Sequence, residues 1–141
     1  METKIFVNLP VKDLKRSSTF FSKMGYSFDP QFSDDNAKCL IISDHIFVML
    51  LVEPFFKSFT KKEIPDFSRT AGAILSISTD NREAVDELMK KSISAGGKDV
   101  SQPQQVDFMY TRSFEDPDGH LWEVFYMDMA KVRSEPKTQP V

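Results

Sequence analysis

One order of elements occurs twice along this chain: strand, helix, then three strands. In the first half, Lys4 to Leu9 has a strand pattern, and Asp13 is placed as the N-cap of a helix reaching about Met24. Leu14, Ser17, Phe21 and Met24 fall on one face of that helix, and Gly25 stops it. Tyr26 to Phe28 is a short strand. Ala37 to Ser43 and Ile46 to Val52 are two apolar runs joined by a turn at Asp44-His45. In the second half, Ala73 to Ser78 is a strand, and Asp80 with Glu83 three residues on has the form of a capping box. Val85, Leu88, Met89 and Ile93 mark the apolar face of the next helix, which Ala95-Gly96-Gly97 ends. Lys98 to Ser101 and Phe108 to Glu115 follow as strands. The turn Asp116-Pro117-Asp118-Gly119 leads into a last, aromatic-rich strand from Leu121 to Met127. Aligning Asp13 with Asp80 sets Phe21 opposite Leu88.

Neither half is large enough to bury a stable core alone, whereas 141 residues suffice for one domain. The expectation is an α+β fold of two β-α-β-β-β modules in one domain over 1–129. Module one covers about 4–52, a linker 53–72, and module two about 73–127. A polar, Pro-containing tail over 130–141 is expected to be flexible. The linker is unusually rich in phenylalanine, with Phe55, Phe56, Phe59 and Phe67. A connection this long needs its own short helix or a function, and Pro54 suits the first turn of such a helix. Its phenylalanines either anchor it on the core or form a lid, a dimer contact or a docking surface for another protein.

Composition removes several function classes. Lys and Arg total 18 against 21 Asp and Glu, a formal net charge of -3, and the nearest basic cluster is Lys57 with Lys61-Lys62. That balance excludes a general nucleic-acid or anionic-membrane binder. The longest apolar run, Ile46 to Val52, is too short to span a bilayer. The single cysteine, Cys39, lies in an apolar run, which suits a buried thiol in a reducing, cytoplasmic setting. The five glycines have no dinucleotide-loop or P-loop spacing. His45 and His120 are too far apart for a metalloprotease helix, and no nucleophile-elbow motif is present.

Two segments resemble a known family. Phe6-Val7-Asn8-Leu9-Pro10-Val11-Lys12-Asp13-Leu14, followed by Ser17 and Phe20-Phe21, is similar to the opening of vicinal oxygen chelate proteins. So is Ser113-Phe114-Glu115-Asp116-Pro117-Asp118-Gly119-His120-Leu121-Trp122-Glu123-Val124 to their final turn and strand. This superfamily groups glyoxalase I, bleomycin-resistance proteins and extradiol dioxygenases. The resemblance implies modules whose mixed sheets curl around a cavity, dimers in many members, and a divalent metal in some. Counted from the motifs, the metal-ligand positions fall on Phe6, Val48, Ala73 (or Leu75 after a slip) and Glu123. Only Glu123 is a ligand residue type, so no metal or other cofactor is expected at these positions.

The expected site is therefore a cavity between the modules that binds a small organic molecule without the usual metal centre. Its lining is Phe6, Asn8, Val48, Ala73, Tyr110, Arg112 and Glu123. Glu123 is either an ion-paired structural acid or the catalytic base or ligand anchor. Arg112 could pair with it or clamp a ligand carboxylate. His45 and His120, each at a turn, are expected near solvent, without a catalytic partner in sequence. The expected partners are a small organic molecule and a second copy of the chain, with no nucleic acid and no membrane. The alternatives are a metal-dependent glyoxalase-type lyase or isomerase with a shifted site, and an interaction module using the linker phenylalanines.

Overall fold

The computed structural model describes residues 2–103 and 106–134. Module one runs β1 (Ile5–Val11), α1 (Leu14–Lys23), β2 (Ser27–Asp29), a 3-10 turn at Pro30–Phe32, β3 (Ala37–Ile41) and β4 (Ile46–Val52). The linker carries α2 (Glu53–Lys57), with Pro54 in its first turn. Module two runs β5 (Ile74–Ser78), α3 (Arg82–Ser94), β6 (Lys98–Asp99), β7 (Met109–Glu115) and β8 (Leu121–Met127), and α4 (Met129–Ser134) follows. The start of the expected flexible tail is thus helical, and 135–141 lie outside the described residues.

Each module makes its own four-stranded sheet, in the orders β1-β4-β3-β2 and β5-β8-β7-β6. β1 is parallel to β4 and β5 to β8, and the remaining neighbours are antiparallel. Parallel neighbours need a long crossover, which the helix of each module begins. The two sheets are not joined to each other.

The modules share one core built on the helix-bearing faces of both sheets. Leu9, Val11, Val48 and Leu50 of the first sheet and Phe114, Trp122 and Val124 of the second join Phe20, Phe21, Met24, Val85 and Met89 of the helices and the residue following α1. Phe20 packs against Phe114 at 6.0 Å and Phe21 against Trp122 at 5.2 Å between ring centroids. On α3 the buried stripe is Val85, Met89 and Ser92, not Ile93, which is 43% exposed. Ser92 is tolerated there because its hydroxyl donates to the Met89 carbonyl at 2.8 Å.

The capping residues give the true correspondence between modules. Asp13 caps α1 as expected, accepting from the Arg16 N–H at 3.0 Å. In module two the cap is Asn81, accepting from the Ala84 N–H at 2.7 Å, and not Asp80. The equivalents of Asp13 and Phe21 are therefore Asn81 and Met89, one residue later than the alignment on Asp80 and Leu88.

The Asp-Pro-Asp-Gly turn that carries much of the resemblance fastens the two modules together. Asp118 accepts from the Lys12 N–H at 2.9 Å and the Ser17 hydroxyl at 2.8 Å, both in module one, and pairs with Arg16 at 3.3 Å. Asp116 accepts from the Trp122 indole at 3.0 Å and from the Asp118 and His120 N–H groups. Burial pushes its carboxyl above the usual carboxylate range, while His120 and these donors pull the other way. His120 is buried rather than near solvent: its ring Nε2 lies 2.7 Å from the Pro10 carbonyl, and Phe67 of the linker packs on it at 4.3 Å.

Candidate functional site

Strand alternation separates a helix face from an open face on each sheet. On β8, Trp122 and Val124 point into the core, so Leu121, Glu123 and Phe125 take the open face. On β5, Leu75 and Ile77 pack against the core and Ser76 faces outward beside Glu123. On β7, Phe114 is buried, which leaves Met109, Thr111 and Ser113 on the open face.

Part of this open face lines a groove of about 480 Å³, with Ser76 beside it. Its floor and walls include Ile74, Met109, Thr111, Ser113, Leu121 and Glu123. Glu123 is half-buried, and Ser76 donates its hydroxyl to Oε1 at 2.9 Å. In register, Glu123 stands between Ser76 on β5 and Ser113 on β7. The groove thus presents one carboxylate among hydroxyls and the Gln102 amide on a mostly apolar surface.

The sequence-predicted residues do not all meet there. Phe6 and Asn8 share the open face of the first sheet. Phe6 stacks on Phe47 at 4.8 Å and meets Phe32 edge-on at 6.3 Å. Asn8 lines a separate hollow of about 350 Å³ with Leu51, Phe56, Phe59 and Thr60. Two linker phenylalanines therefore wall this hollow, while Phe67 anchors the linker on the final turn. Val48 is 1% exposed and packs in the core; its neighbour Met49, opposite Asn8, lies on the open face of β4 with Phe47 and Leu51. Ala73 precedes β5, and the one-residue shift in the cap moves its role to Ile74.

Tyr110 and Arg112 lie on the helix face of β7, away from Glu123. The Tyr110 hydroxyl donates to Asp86 of α3 at 2.5 Å, and this bond raises the Tyr110 pKa. Arg112 reaches Asp86 at 3.3 Å and Asp99 at 2.9 Å. Hydrogen bonds from Ser101 and then the Arg112 guanidinium hold Asp99 below the usual carboxylate range. Arg112 is engaged with these two acids and does not pair with Glu123. Cys39 is fully buried, and burial, with Asp29 adding to it, raises its thiol pKa. His45 is exposed beside Glu2 at 2.6 Å. Sequence reasoning missed Ser76, Thr111 and Ser113, which alternation could have placed once the registers of β5 and β7 on β8 were known.

A sequence model of the Glyoxalase/Bleomycin resistance protein/Dioxygenase superfamily matches residues 5–124. The chain belongs to this superfamily. Its structural neighbours agree. A hypothetical protein from S. aureus superposes with a TM-score of 0.75 at 24% identity, covering 89% of this chain and 94% of that one. A glyoxalase/bleomycin resistance protein/dioxygenase family enzyme from Burkholderia phytofirmans gives 0.74 at 17% identity, covering 86% and 96%. The fosfomycin resistance protein FosX from Listeria monocytogenes, complexed with Mn(II) and sulfate, gives 0.68 at 16% identity, covering 94% and 98%. At these identities the likeness is one of fold. No curated protein matches the sequence.

The residues present do not fit the metal centre that the superfamily implies. After these one-residue shifts the counted ligand positions hold Phe6, Met49, Ile74 and Glu123, and the polar residues beside them on the paired strands are Asn8 and Ser76. One carboxylate with a thioether, an amide and a hydroxyl is not a ligand set for a divalent transition metal. Among the described residues, no group of three His, Cys, Asp or Glu side chains is placed to hold an ion. No helix among the described residues is long and apolar enough to cross a membrane.

Proposed function

We propose that this protein binds a small organic molecule with a flat apolar body in the groove of the second sheet. Glu123 serves as its polar anchor, and no metal centre takes part. The observation that carries this reading is the Ser76–Glu123 pair set among Ile74, Met109 and Leu121. Mostly apolar walls with a few convergent polar groups are the usual composition of a small-molecule site. A catalytic role for Glu123 as a general base is compatible with the same placement.

A second copy of the chain completes the site in this proposal. β1 and β5 are edge strands. Ile5 and Ile74 on them are 55% and 60% exposed, and Phe6 and Ile46 are also exposed. Exposed apolar edges of this kind are association surfaces. Pairing them would bring the partner's open first sheet over Glu123.

The test is calorimetric titration with naphthylmethanol, a neutral aromatic alcohol. Saturable 1:1 binding per chain is expected, and Thr111→Trp, which fills the groove, should weaken it at least tenfold. Sedimentation of the same sample should give the mass of a dimer. Absence of saturable binding, or binding unaffected by Thr111→Trp, would refute the assignment of the groove.

A further inference from the structure

Resting on that binding role, we propose that the groove selects organic cations: apolar, flat molecules that carry an ammonium or similar N–H-rich head. The argument is the charge inventory of the open face. Among the described residues of the second sheet, the charged side chains on that face are Glu123, Glu115 and Lys98. Lys98 stands opposite Glu115 in the β6–β7 register, and both line a different crevice beside the Asp-Pro-Asp-Gly turn. Arg112 points to the other face, held by Asp86 and Asp99. No basic side chain among the described residues lines the groove itself.

A carboxylate only accepts hydrogen bonds, so the head it prefers is a donor. Ser76 takes Oε1, and among the described residues none donates to Oε2, which leaves that oxygen to a ligand. Charge-assisted N–H···O bonds are about twice as strong as neutral ones. A ligand carboxylate or phosphonate would meet repulsion from Glu123 strengthened by the apolar walls, with no basic side chain of the groove's own sheet lining it to offset that repulsion. Thr111, Ser113 and the Gln102 amide can donate or accept, so they adapt to the rest of the molecule without reversing the preference.

Three near-isosteres separate the possibilities: naphthylmethylammonium, naphthylmethanol and naphthoate, each titrated calorimetrically into the full chain at neutral pH. The ammonium should bind at least tenfold more tightly than the alcohol, and naphthoate at least tenfold more weakly. Glu123→Gln keeps the size of the side chain and an acceptor for Ser76, and should bring ammonium and alcohol within about threefold of each other. Naphthoate binding as tightly as the alcohol, or an ammonium preference that survives Glu123→Gln, would overturn the inference. Alcohol binding without ammonium preference would overturn it while leaving the groove as a binding site. Failure of all three to bind would overturn both.

Discussion

Gly119→Ala is expected to remove about 3 kcal/mol of folding stability, a fall in Tm on the order of 10 °C. Two costs combine. Gly119 has φ +91°, in the left-handed region, where an L-residue is strained by about 1–2 kcal/mol. A Cβ there would also lie 2.7 Å from the Phe67 carbonyl oxygen and 3.0 Å from its carbon. These are backbone atoms, so relief requires moving the linker off the final turn and disturbing the contact between Phe67 and His120. Gly96→Ala is the matched control. Its φ is +109°, but an added Cβ meets nothing within 4 Å, so only the conformational cost of about 1–2 kcal/mol applies. Equal losses in thermal or denaturant melts of the two variants would show that the linker yields freely.

Asp118→Ala should also cost about 3 kcal/mol, measured by urea unfolding. Its carboxylate is 4% exposed and accepts from Lys12 and Ser17 across the module boundary. Removing it leaves the buried Ser17 hydroxyl and a backbone N–H without this acceptor, which is the expensive way to lose a hydrogen bond. The pair with Arg16 adds little, because Arg16 is about half-exposed. Asp118→Asn retains one carbonyl acceptor and should lose roughly half as much. A double-mutant cycle with Ser17→Ala should show coupling of about 1 kcal/mol. Additive losses would mean that the turn and α1 are not fastened through this contact.

The order of elements was legible because it rests on local signals. An uninterrupted apolar run marked β4 and an aromatic-rich run marked β8, and Asp13 and Gly25 bounded α1. Pairing partners were less legible, because they are set by residues distant in sequence. Choosing Asp80 over Asn81 as the α3 cap shifted one strand by a residue and replaced Ile74 with Ala73. The same kind of slip placed Val48 where Met49 belongs, since a one-residue shift exchanges the two faces of a strand. Matching the turn before Ile46 to the turn before Leu121 could not reveal this, whereas the parallel register of β1 with β4 does. Arg112 was open to several partners in sequence; its acids come from α3 and β6, brought beside β7 only by folding. His120 gave no sign of burial because its ring partner is the backbone of Pro10. The motif most visible in the sequence, Asp116 to Gly119, holds the modules together. The proposed site lies on the neighbouring strand, where only Glu123 stood out by residue type.

Methionine methyl NMR tests the location of the site most directly. Met109 lines the groove, Met49 lies on the open face of the first sheet, and Met24 and Met89 are buried in the shared core. In a titration of the full chain, labelled at its methionine methyl groups, with naphthylmethanol, the Met109 resonance is predicted to shift saturably while Met24 and Met89 hold still. A shift confined to Met49, or saturable binding that leaves Met109 unmoved, would contradict the placement of the ligand beside Glu123.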